Sequence, residues 1–305
     1  MPLTIRTARF AFAGLAVALL GTACSSSPST PAASSGPSVS IGSTNFPEQV
    51  IVANLYSDVL THAGAKVTLR TNLGTREAVE PALASGQLDL YPDYVGSLLL
   101  FLNQADTSVA TQTSTAVPAL KSLLGPHGVT VLQPSSALDT NVFAVTHATA
   151  NKYHLTTLSS LAPAASQLVL GGPQECPQRP LCLLGLQNTY GLHFKSFTAL
   201  DEAGPITIAA LQQGQVQVAE LFSSDGSIVQ NNFVQLTDDK HLQPADYLIP
   251  VIRKAVVTPA VAAALNALSA KLTTDELAKL NIKVSVDHED EATVARQWLQ
   301  QKHII

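Results

Sequence analysis

The sequence predicts an α/β protein of two lobes that are joined by two crossing strands. Its 305 residues exceed what a single hydrophobic core usually holds. Strand-like apolar runs alternate with helical segments through the first hundred residues, an order typical of sheets covered by helices. Two further apolar runs, near Asp139 and near Tyr247, are placed to carry the chain from one lobe to the other and back.

The composition indicates a folded, mildly acidic body. Hydrophobic residues make up 46% of the chain and charged residues only 13%, against about 25% charged in an average domain. The formal net charge is −5. Such a chain has no excess of basic residues with which to bind nucleic acid, so that class of partner is excluded.

The N-terminus has the features of a targeting signal. Arg6 and Arg9 precede an apolar stretch at residues 10–20, which is too short to span a bilayer. Small residues lead to Cys24, and this arrangement resembles a bacterial lipobox. We therefore predict a signal peptide at residues 1–23.

The residues that follow are predicted to anchor and tether the body. Cys24 is expected to be lipidated, and residues 24–38 form a linker rich in serine and proline. This places the protein on the extracytoplasmic face of the bacterial cell membrane. Ordinary secretion with cleavage nearby is the alternative.

The first lobe begins with alternating strands and helices. A strand at residues 39–42 leads to a helix at 47–62, in which Pro47 occupies the first turn, and residues 66–69 form the next strand. Residues 72–99 follow as a polar loop, a short helix, a strand ending at Tyr91 and a second helix. Asp93 and Tyr94 lie with Tyr91 near the carboxyl end of that strand, where open α/β sheets bind their ligands.

The rest of the chain predicts a second set of strands and helices that returns to the first lobe. A polar connection at residues 105–124 leads into a helix, and residues 138–146 carry the chain across to the second lobe. A long irregular loop follows at 171–185. The other predicted elements are strands at 129–132, 168–170, 216–221, 233–236 and 247–252, and helices at 158–161, 205–213 and from residue 259 onward.

These elements predict that two separate stretches of the chain form the first lobe and one stretch forms the second. The first lobe is expected to comprise residues 39–139 and 248–305, with the C-terminal helices packed back on it. Residues 140–247 are expected to form the second lobe. This is the architecture of a receptor whose lobes close by a hinge around a ligand in the cleft between them.

Two cysteines, Cys176 and Cys182, remain besides Cys24. They lie close together in a loop rich in proline, and an oxidising compartment would favour a disulfide between them. Two buried thiols are the alternative.

Three segments of the chain resemble a known family. They are IGSTNFPEQVIVANLY at residues 41–56, GTREAVEPALASGQLDLYPDYVG at 74–96 and LTDDKHLQPADYLIPVI at 236–252. They resemble the substrate-binding lipoproteins of ABC importers for quaternary-amine osmoprotectants such as glycine betaine, choline and carnitine. The resemblance implies the type II periplasmic-binding-protein fold, a monomeric body, and an ABC permease with its ATPase as partners.

The resemblance also implies a ligand site between the lobes. A cage of aromatic rings would hold the ammonium group, and an arginine would hold a ligand carboxylate. Carried over residue by residue, the ligand-binding positions fall on Asp139, Asn141, Arg179, Phe222, Asp246 or Tyr247, and on Val79 or Glu80.

At most two rings, Phe222 and Tyr247, remain at the cage positions. If Glu80 or Asp246 faces the cleft, charge pairing could hold a cation, and a ligand richer in hydrogen bonds than betaine would be favoured. A different small polar or aromatic solute is therefore the alternative ligand. Asn45, Phe46 and Glu48 are expected to cap the first helix and support the cleft rather than to bind. Tyr91, Tyr94 and Asp225 are expected to support the cleft or to contact the ligand.

No pattern in the sequence predicts catalysis, a cofactor or a metal site. The eight histidines are scattered, and no two lie on one helix at the spacing of metal ligands. A nucleophile elbow, a phosphate-binding loop and a dinucleotide fingerprint are all missing from the sequence. A secreted enzyme or a ligand-sensing lipoprotein without a transporter is the alternative class of function.

Overall fold

The computed structural model describes residues 36–103, 113–244 and 246–305, which form two α/β lobes. The predicted signal peptide and Cys24 lie outside the described residues. Within these ranges, no helix is both long enough and apolar enough to cross a membrane.

The first lobe is built on a five-stranded sheet with strand order β2-β1-β3-β10-β4, the strands being numbered along the chain. The second strand and the third both run parallel to the first, and the tenth runs antiparallel to the third and fourth. These strands are β1 (Ser38–Gly42), β2 (Lys66–Arg70), β3 (Leu90–Tyr94), β4 (Val129–Val131) and β10 (Leu248–Arg253).

Helices cover both faces of this sheet. One face packs against α1 (Pro47–His62), α9 (Pro259–Lys271), α10 (Thr274–Ser285) and α11 (Glu291–Gln301). The other packs against α2 (Arg76–Ala84), α3 (Val95–Leu102) and α4 (Thr113–Leu124). Because both faces are covered, every residue of β3 is buried. The C-terminal helices α9, α10 and α11 thus share one apolar core with α1 and β1.

The second lobe has a sheet of the same size, with strand order β7-β6-β8-β5-β9. Its strands are β5 (Asn141–Thr146), β6 (Val169–Pro173), β7 (Ser196–Leu200), β8 (Val218–Phe222) and β9 (Phe233–Leu236). Its helices are α5 (His147–Tyr153), α6 (Leu183–Tyr190), α7 (Pro205–Gln212) and α8 (Gly226–Gln230). The two-lobed α/β fold is therefore confirmed.

The two segments that cross between the sheets are paired with each other. Leu138 and Tyr247 form an antiparallel bridge. The backbone N–H of Asp139 donates to the carbonyl of Asp246 at 3.0 Å, and that of Leu248 donates to the carbonyl of Ala137 at 3.0 Å. The hinge is therefore a short two-stranded ribbon.

The structure corrects the predicted position of the tyrosines in the first lobe. Tyr91, Asp93 and Tyr94 lie within β3, and not beyond the carboxyl end of a strand that stops at Tyr91. β10 pairs with this whole stretch, with Tyr94 opposite Leu248. Pairing with a strand from much later in the chain extends β3, and a local pattern does not reveal such a partner.

Several elements of the second lobe differ from the sequence prediction. The irregular loop is shorter, because β6 extends to Pro173 and α6 begins at Leu183. The helices α5, α6 and α8 and the strand β7 were not predicted. β7 is an edge strand with no fully buried residue, so its sequence lacks the apolar run that marks a buried strand.

Candidate functional site

A cavity lies between the two lobes, beside the crossing segments. The space between its walls, open solvent included, is about 630 Å³. Both sheets contribute to its walls. The lining residues are Phe46, Arg76, Glu77, Tyr94, Ser97, Leu100, Phe101, Asp139, Asn141, Arg179, Pro180, Leu181, Glu202, Phe222 and Asp246.

Two phenyl rings meet across this cavity. Phe46 precedes α1 in the first lobe, and Phe222 is the last residue of β8 in the second. Their centroids are 4.5 Å apart and their planes differ by 28°, so the rings stack. The Tyr94 ring lies 6.4 Å from that of Phe46. Phe46, predicted to support the cleft, is thus part of an aromatic wall with Phe222 and Tyr94.

Arg179 lies in the cavity wall on the loop between β6 and α6. A disulfide between Cys176 and Cys182, whose Cα atoms are 5.1 Å apart, closes this loop around it. The guanidinium donates to Glu77 of α2 through Nε at 3.2 Å and Nη2 at 2.9 Å. It also donates through Nη1 to Glu202 at 3.2 Å. Carboxylates from both lobes therefore hold this arginine.

A second arginine, Arg76, also faces the cavity and is paired with Asp93 of β3. Its Nε and Nη2 donate to the carboxylate at distances between 2.6 and 3.1 Å. The Tyr91 hydroxyl donates to the same carboxylate at 2.7 Å. Asp93 is therefore the partner that holds Arg76, whose side chain is largely buried, in place.

The carboxyl group of Asp139 reaches the cavity from the first crossing segment. Its Oδ1 accepts hydrogen bonds from Ser223 Oγ at 3.0 Å and from the backbone N–H of Ser224 at 2.9 Å. Among the described residues, its buried Oδ2 has no hydrogen-bond partner. Burial raises the pKa of Asp139 well above its usual range, and the charge of Glu48 raises it further.

Asp246 caps the helix α3 from the second crossing segment. It accepts hydrogen bonds from the backbone N–H groups of Gly96 at 2.6 Å and Ser97 at 2.8 Å. A Cβ on Gly96 would lie 2.9 Å from the Asp246 carboxylate and nearer still to Pro244, so the approach requires glycine. Burial raises the pKa of Asp246 to about 6, although these hydrogen bonds oppose the shift.

Glu48 lies on the far side of the Phe46–Phe222 stack, where it lines a smaller cavity together with Asp225. It does not cap α1. Its carboxylate accepts hydrogen bonds from Tyr94 Oη at 2.5 Å, Ser224 Oγ at 2.6 Å and Asn281 Nδ2 at 2.5 Å. Burial raises its pKa, and these hydrogen bonds oppose the shift.

Besides Glu48, Asp225 and the two cysteines, five residues singled out from the sequence do not line the cavity between the lobes. Val79 and Glu80 are buried on α2, and Tyr247 packs against the apolar cluster that contains Val79. Asn45 is exposed, and Tyr91 is buried against Asp93. The carried-over positions on α2 and at Tyr247 therefore supply no wall of this cavity.

The sequence reasoning missed Arg76, Glu77 and Glu202. The first two lie inside the segment GTREAVE, which carried the resemblance. Their charges, close to the carried-over ligand position Val79, could have marked them as site residues. Glu202 follows β7, an element that was not predicted. Its burial raises its pKa, against the lowering effect of Arg179.

One group of side chains in the described part of the chain has the composition of a metal site. Cys176, Cys182 and Glu220 bring their ligand atoms within 4.8 Å of one another. The sulfurs are bonded to each other, and a metal requires deprotonated thiolates. Burial raises the pKa of Glu220 to about 8, so its protonated carboxyl donates to the Cys182 sulfur, 2.9 Å away.

Comparison with known proteins agrees with this arrangement. A family described as the substrate binding domain of ABC-type glycine betaine transport systems matches residues 37–301. The glycine betaine-binding protein YehZ of Escherichia coli is 28% identical over 275 residues, covering 87% of this chain and 90% of its own. The carnitine transport binding protein OpuCC of Listeria monocytogenes is 26% identical over 285 residues, covering 88% of each chain.

A solved structure of a related protein has a similar fold. The crystal structure of a glycine betaine/carnitine/choline ABC transporter superposes with a TM-score of 0.67 at 25% identity. The superposition covers 88% of this chain and 99% of that one.

Proposed function

The chain belongs to the family of substrate-binding domains of ABC-type glycine betaine transport systems, and we propose that it delivers a quaternary-amine solute to an ABC permease. Relatives named for glycine betaine and for carnitine support this class of ligand. In this proposal the protein is a monomeric receptor and not an enzyme, and the permease with its ATPase performs the transport.

The observation that carries the proposal is the aromatic wall formed across the cleft by Phe46 and Phe222. A quaternary ammonium group is weakly hydrated and donates no hydrogen bond. It gains about 0.5–2 kcal/mol over the face of an aromatic ring, more where water is excluded. Asp246, whose pKa is raised only to about 6, is ionised near pH 7 and favours a positive charge in the same cavity.

Calorimetric titration of the body with choline, glycine betaine and carnitine tests the proposal. At least one of these should bind, and each bound ligand should raise the unfolding temperature. The neutral tert-butyl analogue of choline, which has the same shape without the charge, should bind at least about tenfold more weakly. Equal binding of the neutral analogue, or no binding of any cation, contradicts the proposal.

A pair of matched variants locates the site. Phe222→Leu should weaken the binding of these cations, because it removes one ring of the wall. Phe197→Leu makes the same change at a partly buried phenylalanine of β7 that packs against the second-lobe core, away from the cavity. This control should bind as the unchanged protein does.

We also propose the predicted lobe boundaries and anchor. The first lobe comprises residues 39–139 and 248–305 and the second 140–247, and the paired crossing segments support this division. Cys24 is proposed as the lipid-bearing residue, so Cys24→Ser should release the protein from the membrane fraction of cells.

A further inference from the structure

The arginine expected to hold a ligand carboxylate is already engaged by a carboxylate of this chain. Glu77 meets Arg179 with both oxygens, at 3.2 Å from Nε and 2.9 Å from Nη2. This two-point contact is the geometry by which a guanidinium recognises any carboxylate. Burial acts against ionisation of Glu77, but the contact with Arg179 prevails and lowers its pKa to about 2.

The remaining guanidinium nitrogen of Arg179 and the second arginine of the cavity also have carboxylate partners. Glu202 accepts from Nη1 of Arg179 at 3.2 Å. Arg76 is held by Asp93. Within the described ranges, both arginines that line the cavity thus have carboxylate partners from the chain. A ligand carboxylate would have to displace Glu77 and would meet its negative charge.

Two acidic residues of the cavity wall, by contrast, each have one buried oxygen atom that is not hydrogen-bonded within the described part of the chain. Asp139 Oδ2 and Glu202 Oε2 have no hydrogen-bond partner among the described residues, although their side chains are more than nine-tenths buried. An unpaired buried polar atom is costly, so a ligand that supplies its partner binds more tightly. A fully methylated ammonium group supplies none, whereas a hydroxyl or N–H group does.

We propose that Glu77 determines the specificity of this cleft by occupying Arg179, so that the cleft selects organic cations that carry a hydroxyl or N–H group and lack a carboxylate. Specificity then comes as much from the repulsion of a carboxylate as from attraction of the cation. This inference rests on the proposed function, because it concerns the ligand of the same cleft.

The Glu77–Arg179 pair also joins the two lobes. Glu77 lies on α2 of the first lobe and Arg179 on a loop of the second. The contact therefore favours the closed cleft before any ligand binds. The proposal can therefore be tested without a ligand, by measuring the radius of gyration of the ligand-free protein.

Three ligands that differ by one group each test the specificity. Choline carries a hydroxyl, its methyl ether has that hydroxyl capped, and glycine betaine carries a carboxylate. The unchanged protein should bind choline at least about tenfold more tightly than either of the others in calorimetric titration. Glu77→Gln should strengthen glycine betaine binding about tenfold and leave choline within about threefold.

Glu289→Gln is the matched control. Glu289 pairs with Lys283 at 2.9 Å, the same distance as in the Glu77–Arg179 pair. The Glu289 side chain is 34% exposed and the Glu77 side chain 37%. The control should change neither the order of affinities nor the radius of gyration, whereas Glu77→Gln should increase the radius of gyration without ligand.

The outcomes separate the two proposals. If the unchanged protein binds glycine betaine as tightly as choline, the inference is overturned while the proposed function stands. Binding of none of the three ligands overturns the inference, and the proposed function is overturned as well if carnitine also fails to bind. If Glu77→Gln alters neither the choline-to-betaine ratio nor the radius of gyration, or if Glu289→Gln alters them equally, the inference is also overturned.

Discussion

Glu48 of the first lobe and Ser224 of the second are joined by a buried hydrogen bond of 2.6 Å, in which the serine hydroxyl donates. The backbone N–H of Ser224 donates to Asp139 of the crossing segment at 2.9 Å. One serine therefore connects a helix of the first lobe with the hinge. This places Glu48 at a junction that contributes to stability as well as to the shape of the cleft.

Glu48→Gln should lower the free energy of unfolding by about 1–3 kcal/mol, the cost of leaving a buried hydrogen-bonding group without a partner. The carboxylate accepts from Tyr94, Ser224 and Asn281, and an amide NH₂ cannot accept. Urea unfolding followed by circular dichroism measures the change. Asp287→Asn, at an exposed position, should have little effect. Equal effects of the two substitutions would contradict the prediction.

Asp93→Asn should be among the more destabilising single substitutions, by about 3–5 kcal/mol, because it leaves the largely buried Arg76 side chain without an ionised partner. Asp58→Asn is the comparison, since Asp58 pairs with Arg296, whose side chain is 62% exposed. That exposed pair should contribute less than about 1 kcal/mol. The same urea experiment compares the two variants. A change below about 1 kcal/mol for Asp93→Asn would contradict the prediction.

The disulfide should contribute about 2 kcal/mol to the stability, as expected for a short closed loop. The double variant Cys176→Ser and Cys182→Ser should lose this amount in urea unfolding. Reducing the unchanged protein with dithiothreitol should produce the same loss, and the reductant should have no effect on the double variant. A reductant effect that persists in the double variant would show that the loss has another origin.

Glu220 should make stability fall as the pH rises. Burial raises its pKa in the folded protein from 4.5 to about 8, although Arg179 opposes the shift. Between these pH values the folded protein retains a proton that the unfolded chain has released, so each pH unit costs about 1.4 kcal/mol. This stabilisation is complete below pH 4.5 and is lost as the pH rises through 8.

Urea unfolding at pH 5 and at pH 8 measures this dependence. Glu220→Gln should be less sensitive to pH over the same interval, because an amide does not titrate. Asp58→Asn again serves as a control and should keep the pH dependence of the unchanged protein. If Glu220→Gln and the unchanged protein lose the same stability between the two pH values, Glu220 is not the source.

The sequence allowed the fold to be predicted more completely than the site. Local patterns were enough to predict the existence and order of the first six elements, because each strand or helix there is marked by its own apolar residues and turns. The extent of β3 and the existence of β7 depend on pairing with distant strands. Such pairing leaves no local trace, and for that reason these elements were missed or misplaced.

The same reason explains which features of the site could be predicted from the sequence. Phe222, Asn141 and Arg179 could be named because single positions of a motif carried them, and all three line the cavity. The ion pair between Arg179 and Glu77 could not be predicted, because 102 residues separate the two in the chain. Charge pairing between lobes depends on how the lobes meet.

The insertion of the second lobe into the first has a consequence for the order of folding. All five strands of the second sheet lie between Asn141 and Leu236, so this sheet can form as soon as that stretch is free. The first sheet needs β10, which lies between β3 and β4 and ends at Arg253. On a chain that emerges from its N-terminus, the lobe that starts first must therefore be completed last.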